Sequence, residues 1–329
     1  MVFIAFGLSA IITIFLAIRL SIYADTIERK SALSGVLIAL LLGGATSLPE
    51  ITTSITSVII SNPDLAVGNV LGSNLFNVMI LAALDLFFRR HEIMNYASKE
   101  NKYTSILTIF LSLLVAASLF INIPYDVFGV GVDTIILIVV YFIGVKMISA
   151  YSTEHADEEQ ITEQPQTDKG PTLKRAVIGF TIVAVFIMVF GSILTISGDR
   201  IAVITGLGAS FVGSFLVAAS TSLPEAVSVA IAIRLKNYKL AIGGIVGSNL
   251  FNLMILAGTD VFYREGALLS AASSSHLYTI VASIVLISIS LFAMSRKNVS
   301  SSWFYAIPSI LIIISYFIAS YLIYVNSTS

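Results

Sequence analysis

Forty residues of this chain occur twice: 46–85 aligns with 221–260 without a gap at an offset of 175, and twenty of the forty positions are identical. Each copy opens on Thr-Ser-Leu-Pro-Glu, as Thr46 to Glu50 and Thr221 to Glu225. Each then carries Gly-Ser-Asn-Leu-Phe-Asn, as Gly72 to Asn77 and Gly247 to Asn252. Both copies lie inside apolar runs of membrane-spanning length, where a carboxylate costs roughly 3 kcal/mol or more and a proline breaks the helix that holds it. Such costs, duplicated at matching places in two halves, point to a transporter's substrate site.

Composition sets the class. With 57% hydrophobic and 11% charged side chains and a mean hydropathy of +0.96, the chain is far more apolar than a soluble domain. Most of its apolar runs reach the roughly 20 residues a helix needs to cross the hydrocarbon, and that length excludes an alternating β-barrel pattern. The expected fold is therefore an all-α membrane protein with ten transmembrane helices. The spans fall at about 2–23, 32–60, 64–88, 103–122, 127–149, 173–196, 200–233, 239–262, 275–295 and 302–325. The first run lacks a basic n-region and a small-residue cleavage site, so it reads as a retained span. No cysteine is present, which removes disulfides, thiol chemistry and cysteine metal sites. A formal net charge of −1 gives no reason to expect nucleic acid as a partner.

Orientation follows from the basic residues, because cytoplasmic loops carry the Lys/Arg excess. With both termini outside, sixteen of the eighteen fall on the cytoplasmic side and only Arg200 and Arg264 outside. The polar tract 150–172, with Glu154, Asp157, Glu158, Glu159, Glu163 and Asp168, reads as an acidic cytoplasmic linker. It joins a first five-helix repeat, 1–149, to a second, 173–329. Five is odd, so the second copy enters the membrane from the opposite face and the two are inverted repeats that can meet at midplane. The linker lacks the ordered alternation and glycine of an EF-hand loop.

Each copy assembles oxygens. Pro49 has no N–H for the carbonyl of Ala45, and Pro224 none for that of Ser220. Carbonyls freed at membrane depth need neighbours, water or a bound ion. Thr46 and Ser47 share a helical face with Glu50, as Thr221 and Ser222 do with Glu225. Ser73 and Asn77, matched by Ser248 and Asn252, repeat the spacing on the next span. The expected metal-binding set is thus Glu50, Glu225, Thr46, Thr221, Ser47, Ser222, Ser73, Ser248, Asn77 and Asn252. It is all oxygen donors, suited to hard cations such as Ca2+ or Na+ and not to zinc or copper. Two glutamates carry about the charge one Ca2+ neutralises, and with two freed carbonyls they supply about six of its six to eight oxygens. When Ca2+ leaves, the bare pair needs several monovalent cations or protons, which is the physical basis of obligatory exchange.

The doubled Thr-Ser-Leu-Pro-Glu and Gly-Ser-Asn-x-Phe-Asn motifs resemble the two α-repeats of the sodium/calcium exchanger branch of the cation/calcium exchanger superfamily, of prokaryotic type. The resemblance covers about eighty residues directly. It implies a Ca2+ site of Glu50 and Glu225 with the backbone oxygens of Thr46 and Thr221. It further implies flanking Na+ sites using Ser47, Ser73, Ser222 and Ser248 with Asn77 nearby, and first and sixth spans that slide against the rest. An antiporter of the plasma membrane exchanging Ca2+ for Na+ is expected, with no cofactor and no protein partner besides the lipid bilayer. Asn252 departs from the pattern, since many such exchangers carry aspartate there. Motif wording favours Na+, while the charge count leaves H+ open, as in the H+/Ca2+ exchangers of the same superfamily.

Other readings are weaker. A cation channel or an ion sensor could bury an oxygen cage too, but an inverted repeat around one charge pair suits alternation. An enzyme would want a Ser/His pair, paired aspartates or a His-Glu-x-x-His motif in the spans, and none occurs. Asp85 and Asp260 are expected to pair with Arg89 and Arg264 at i+4 as interfacial helix-end ion pairs. Asp64 is placed at a helix N-terminus and Asp133 near the start of the fifth span. His91, His155 and His276 are placed in loops.

Overall fold

The computed structural model describes residues 1–30, 44–154, 172–296 and 302–327. Residues 32–43 of the expected second span and 155–171 of the expected linker lie outside them. Among the described residues ten longer helical segments follow in order: α1 (Val2–Lys30), α2 (Leu48–Ile59), α3 (Pro63–Phe87), α4 (Lys99–Ile121), α5 (Val132–Glu154), α6 (Leu173–Thr205), α7 (Ala209–Arg234), α8 (Tyr238–Phe262), α9 (His276–Ser295) and α10 (Ser302–Ser327). Among the described residues all but α2 are long and apolar enough to cross a membrane. The architecture is the expected all-α membrane protein, with one addition. Between α4 and α5 a small antiparallel hairpin pairs Asp126–Val127 with Val130–Gly131.

The two repeats build the same corner from the same chemistry. At the end of α2 the chain turns through Ser61 with φ 55°, and Asn62 caps α3 by accepting from the Leu65 N–H at 3.0 Å. At the end of α7 it turns through Lys236 with φ 58°, and Asn237 caps α8 by accepting from Leu240 N–H at 3.2 Å. A side-chain oxygen at this position satisfies an N–H that the helix cannot, which fixes where the next span starts. Pro63 follows the first cap in the position where a missing N–H costs nothing.

Helices α3 and α8 lie side by side at the centre, with α2, α4, α7, α9 and α10 packed around them. Their burial exceeds that of the other described spans, and leucine, isoleucine and valine from α3, α4, α8 and α9 make up much of the main apolar cluster. Helices α1 and α6 lie along one another at the side, exposing much of their apolar surface, as lipid-facing helices do. The motif residues therefore sit on the innermost elements.

Candidate functional site

In the first copy the helical residues 44–46 stop at Ser47, which turns with φ −97° and ψ 12°, and α2 begins afresh with Pro49 in its first turn. Glu50, 1% exposed, sits in that first turn, where the positive end of the helix dipole favours a carboxylate. The second copy does not break. Its α7 widens into a π-helical segment, Val212–Val217, and then runs continuously through Pro224 from Ala218 to Arg234. Glu225, 6% exposed, lies in the interior of that helix.

The π segment rests on α3 backbone to backbone. A Cβ added to Gly68 would come within 2.9 Å of the Ser210 carbonyl, one on Gly213 within 2.8 Å of that of Leu65, and one on Gly72 would fall inside the backbone of Ser214. Small residues permit this approach, as at many membrane helix contacts.

The side chains cross between repeats. Ser222 donates to Glu50 Oε1 at 3.2 Å, and the Thr221 hydroxyl also faces that carboxylate. Thr221 donates in addition to Asn69 Oδ1 at 3.3 Å. The Asn69 amide donates to Thr53 Oγ1 at 2.7 Å, to Ser54 Oγ at 3.1 Å and to the Glu50 carbonyl at 3.5 Å. Glu225 is close enough to Glu50 for the two carboxylates to repel one another. Neither of its oxygens has a hydrogen-bond partner among the described residues.

A level further along α3 and α8, four asparagines close a bracket about the repeat axis. Asn77 donates to Asn249 Oδ1 at 3.0 Å, and its mate Asn252 donates to Asn74 Oδ1 at 2.9 Å. Because Asn74 and Asn249 are themselves mates, the two bonds exchange under the repeat symmetry. Asn249 adds a bond to the Asn74 carbonyl at 3.2 Å.

All ten candidate residues lie on α2, α3, α7, α8 or at positions 46 and 47 just before α2. Eight are fully buried, and Thr46 and Ser248 are partly so. Glu50, Glu225, Thr221 and Ser222 come together directly. Asn77 and Asn252 join the bracket, and no hydrogen bond links Ser73 or Ser248 to another described residue. Of the ten, the buried oxygens without a partner among the described residues are Glu50 Oε2, both of Glu225, Ser73 Oγ, Ser248 Oγ and Asn252 Oδ1. Buried polar atoms are ordinarily satisfied, and a cluster made mostly of acceptors invites a cation. Among the described residues no three His, Asp or Glu side chains gather, so the carboxylate charge here is that of the glutamate pair alone.

Asn69, Ser54, Asn74 and Asn249 were not nominated from sequence. Asn74 and Asn249 lie in the identical Gly-Ser-Asn-Leu-Phe-Asn block, and their duplication was the available signal. Asn69 was legible only as a mismatch, since its mate is Gly244.

Three expectations are corrected. Asp85 does not end α3 in an ion pair with Arg89: its oxygens accept from Tyr305 and, at 2.6 Å, from Ser309 on α10, while Arg89 stacks over Trp303. Asp260 likewise accepts from backbone, the Gly131 N–H at 2.7 Å and the Leu268 N–H at 2.6 Å, instead of Arg264. Both carboxylates are fully buried, where hydrogen bonding to fixed neighbours outweighs a solvent-side ion pair. His276 is no loop residue. It begins α9, is buried, and its Nε2 lies 3.1 Å from Asp64 Oδ1. His91 ends a short exposed turn as expected, and His155 lies outside the described residues.

The family described as "Sodium/calcium exchanger protein" matches residues 1–155 and 175–325. The putative antiporter CaxA of Alkalimonas amylolytica is 26% identical over 304 residues, spanning 90% of this chain and 92% of that one. Among solved structures, the sodium-calcium exchanger NCX_Mj superposes with a TM-score of 0.59 at 18% identity, covering 96% of each chain. The H+/Ca2+ exchanger CAX superposes with a TM-score of 0.64 at 12% identity, covering 99% of this chain and 90% of the other. At these identities the two structures speak to the fold alone.

Proposed function

The chain belongs to the sodium/calcium exchanger protein family, and on that premise we propose that it is a secondary antiporter exchanging Ca2+ for Na+ by alternating access at the Glu50–Glu225 site. The observation that carries this reading is the meeting of two buried glutamates, one from each repeat, with three of their four carboxylate oxygens unpartnered among the described residues. Two adjacent carboxylates in a low-dielectric interior repel strongly, and one divalent cation removes that repulsion while using acceptor oxygens that nothing else claims. An empty pair must take other positive charge before it crosses, which couples the two fluxes. Thr46 and Thr221 would add backbone oxygens, and Ser47, Ser73, Ser222 and Ser248 hydroxyls for the smaller charge of Na+. The sixteen-to-two distribution of basic residues supports a cytoplasmic linker with both termini outside, in a plasma membrane.

A second reading, exchange of Ca2+ for H+, draws on Asn252. Its amide donates to Asn74 and it adds no third carboxylate, so the formal charge of the site is that of the glutamates. Two protons would balance that charge in full. Radioactive Ca2+ uptake into proteoliposomes separates the readings at matched membrane potential. Uptake driven by an outward Na+ gradient and not by an outward H+ gradient supports Na+ coupling. The reverse establishes H+ coupling, and uptake that needs neither counter-ion overturns the antiporter.

A further inference from the structure

Between α9 and α10 lies an open groove of about 400 Å3. Ile289 and Phe292 wall it on α9, and Ile307, Pro308 and Leu311 on α10. Phe292, Ile307 and Leu311 are exposed on helices long and apolar enough to cross a membrane, so the medium this wall meets is lipid. From Ser288 to Arg296 the groove runs about 12 Å along α9, at about 1.5 Å per residue. That is less than half of a hydrocarbon core about 30 Å thick. Arg296 closes the end of α9, so the groove belongs to the leaflet on that side.

The end of the groove carries a cation held in an uncommon way. Pro308 has no N–H to offer the Phe304 carbonyl four residues back. Arg296 takes that carbonyl with Nη1 at 2.8 Å and the Tyr305 carbonyl with Nη2 at 2.8 Å. Its guanidinium lies over the rings of Phe292 and Tyr305, 5.6 and 5.9 Å from their centroids. Two of its five N–H groups are spent in this way. Nε is buried without a partner, and no carboxylate pairs with the guanidinium among the described residues. Asp85 attracts it from within the fold but accepts two hydroxyls of its own. Residues 297–301, outside the described ones, add Lys297 and no acid. A partly buried cation with donors to spare, set at the end of an apolar groove, calls for an anion.

We infer that this groove binds an anionic phospholipid, with an acyl chain between α9 and α10 and the phosphate on Arg296. Basic pockets between spans on the cytoplasmic side bind anionic head groups, and the sixteen-to-two distribution of basic residues supports that side for Arg296. Trp303, 69% exposed, lies beside the groove residue Phe304, and Arg89 stacks over it at 5.3 Å, an arrangement suited to a membrane interface. A soluble phosphate ester would meet the cation but leave the groove empty; a lipid uses both. Through Tyr305 the site reaches the core, since its carbonyl holds Arg296 and its hydroxyl holds Asp85 of α3. The lipid thus braces α9 and α10 against the helix that carries Ser73 and Asn77. None of this depends on which ion is exchanged.

Trp303 is the only tryptophan of the chain, so its fluorescence reports this end alone. The full chain is reconstituted in mixtures of phosphatidylglycerol and phosphatidylcholine with matched acyl chains, one or the other brominated to quench a neighbouring tryptophan. Phosphatidylglycerol is expected to be preferred at Trp303 by roughly tenfold and Arg296→Gln to remove that preference, the scale of a hydrogen bond to a charged group. Arg90→Gln, which removes an exposed charge nearby in the chain, should weaken it less and only at low salt. Glycerol phosphate added in solution is expected not to relieve the quenching. No preference in the unaltered chain overturns the inference, whether or not Arg296→Gln folds. So does equal loss in Arg296→Gln and Arg90→Gln, which is surface potential alone. Competition by glycerol phosphate overturns it as well, because the site would then take phosphate without a lipid. Quenching by neither lipid, in a chain that sediments as a dimer, would mean that a second copy covers the groove and would overturn it too.

Discussion

Thr46–Glu50 and Thr221–Glu225 are the same five residues, yet their two helices absorb the proline in different ways. The first breaks at Ser47 and restarts, leaving Glu50 in the first turn of α2. The second stays helical through Pro224, with the π segment 212–217 preceding it. The surroundings diverge accordingly. Glu50 receives the Ser222 hydroxyl from the other repeat and a helix N-terminus from its own, whereas Glu225 has no such donors among the described residues. Among the described residues, identical motifs therefore leave one glutamate with a hydroxyl donor from the other repeat and one without. A carrier gains from this division: a hydrogen-bonded ligand keeps the site's geometry, and one without such a bond can follow the ion or give it up.

The largest effects should treat the copies alike. Glu50→Ala and Glu225→Ala each remove half the site's charge, and each is expected to lower Ca2+ exchange in proteoliposomes by about a hundredfold or more, because an unpaired buried carboxylate and a lost divalent ligand together exceed roughly 3 kcal/mol. Activity retained in either variant would mean that the copies are not equal partners. The next effect should separate them. Ser222→Ala deletes a hydrogen bond to a charged group, worth about 1.5–3 kcal/mol, so a Ca2+ affinity roughly tenfold or more weaker is expected. Ser47→Ala, whose hydroxyl makes no capping bond on α2, should weaken Ca2+ affinity by less. Equal losses measured by Ca2+ titration would show that Glu225 draws on Ser47 as Glu50 draws on Ser222.

The asparagine bracket sharpens the comparison at a smaller scale. Asn252→Asp places a carboxylate against Asn74 Oδ1, but the Asn74 amide nitrogen has no partner among the described residues, so that amide can flip and donate. Asn77→Asp faces Asn249, whose amide nitrogen already serves the Asn74 carbonyl. A flip there sacrifices an existing bond. Asn252→Asp should therefore keep its thermal stability in detergent while strengthening Na+ competition with Ca2+. Asn77→Asp should lose about 1–2 kcal/mol, the scale of one buried hydrogen bond. A drop in melting temperature for Asn252→Asp as large as for Asn77→Asp would remove the flip.

What could be read in the sequence was what the repeat encodes twice. Hydrophobic run length gave nine of the spans now described, and the doubled motif located Glu50, Glu225, Thr221 and Ser222 on facing elements. Partners set by tertiary packing left no periodic trace. Arg89 and Arg264 at i+4 offered a local partner for Asp85 and Asp260. The fold instead brings Tyr305 and Ser309 from 220 and 224 residues away to Asp85, and Gly131 from 129 residues away to Asp260. His276 was misplaced for the same reason, its partner Asp64 lying 212 residues earlier. Asn69 was hidden because one repeat lacks it.

Those two aspartates offer the finest contrast. They are mates at the ends of α3 and α8, they are equally buried, and each holds an adjoining segment to its own helix end. Their nearest donors differ in kind. Tyr305 and Ser309 give Asp85 hydroxyls, which rotate and can accept as well as donate. Asp260 also faces the Thr134 hydroxyl, but each of its two oxygens accepts a backbone N–H, from Gly131 and from Leu268, which can only donate. In Asp85→Asn the new amide nitrogen can bond to a hydroxyl oxygen, and Arg296 remains tied to the carbonyls of Phe304 and Tyr305. In Asp260→Asn an amide N–H must face a backbone N–H, leaving a buried donor unsatisfied at a cost of about 1–3 kcal/mol. Asp260→Asn should thus melt at a clearly lower temperature than Asp85→Asn, which should fall by less than about 1 kcal/mol in stability. The opposite order would mean that the Asp85 charge, and not its hydrogen bonds, holds α10 against α3.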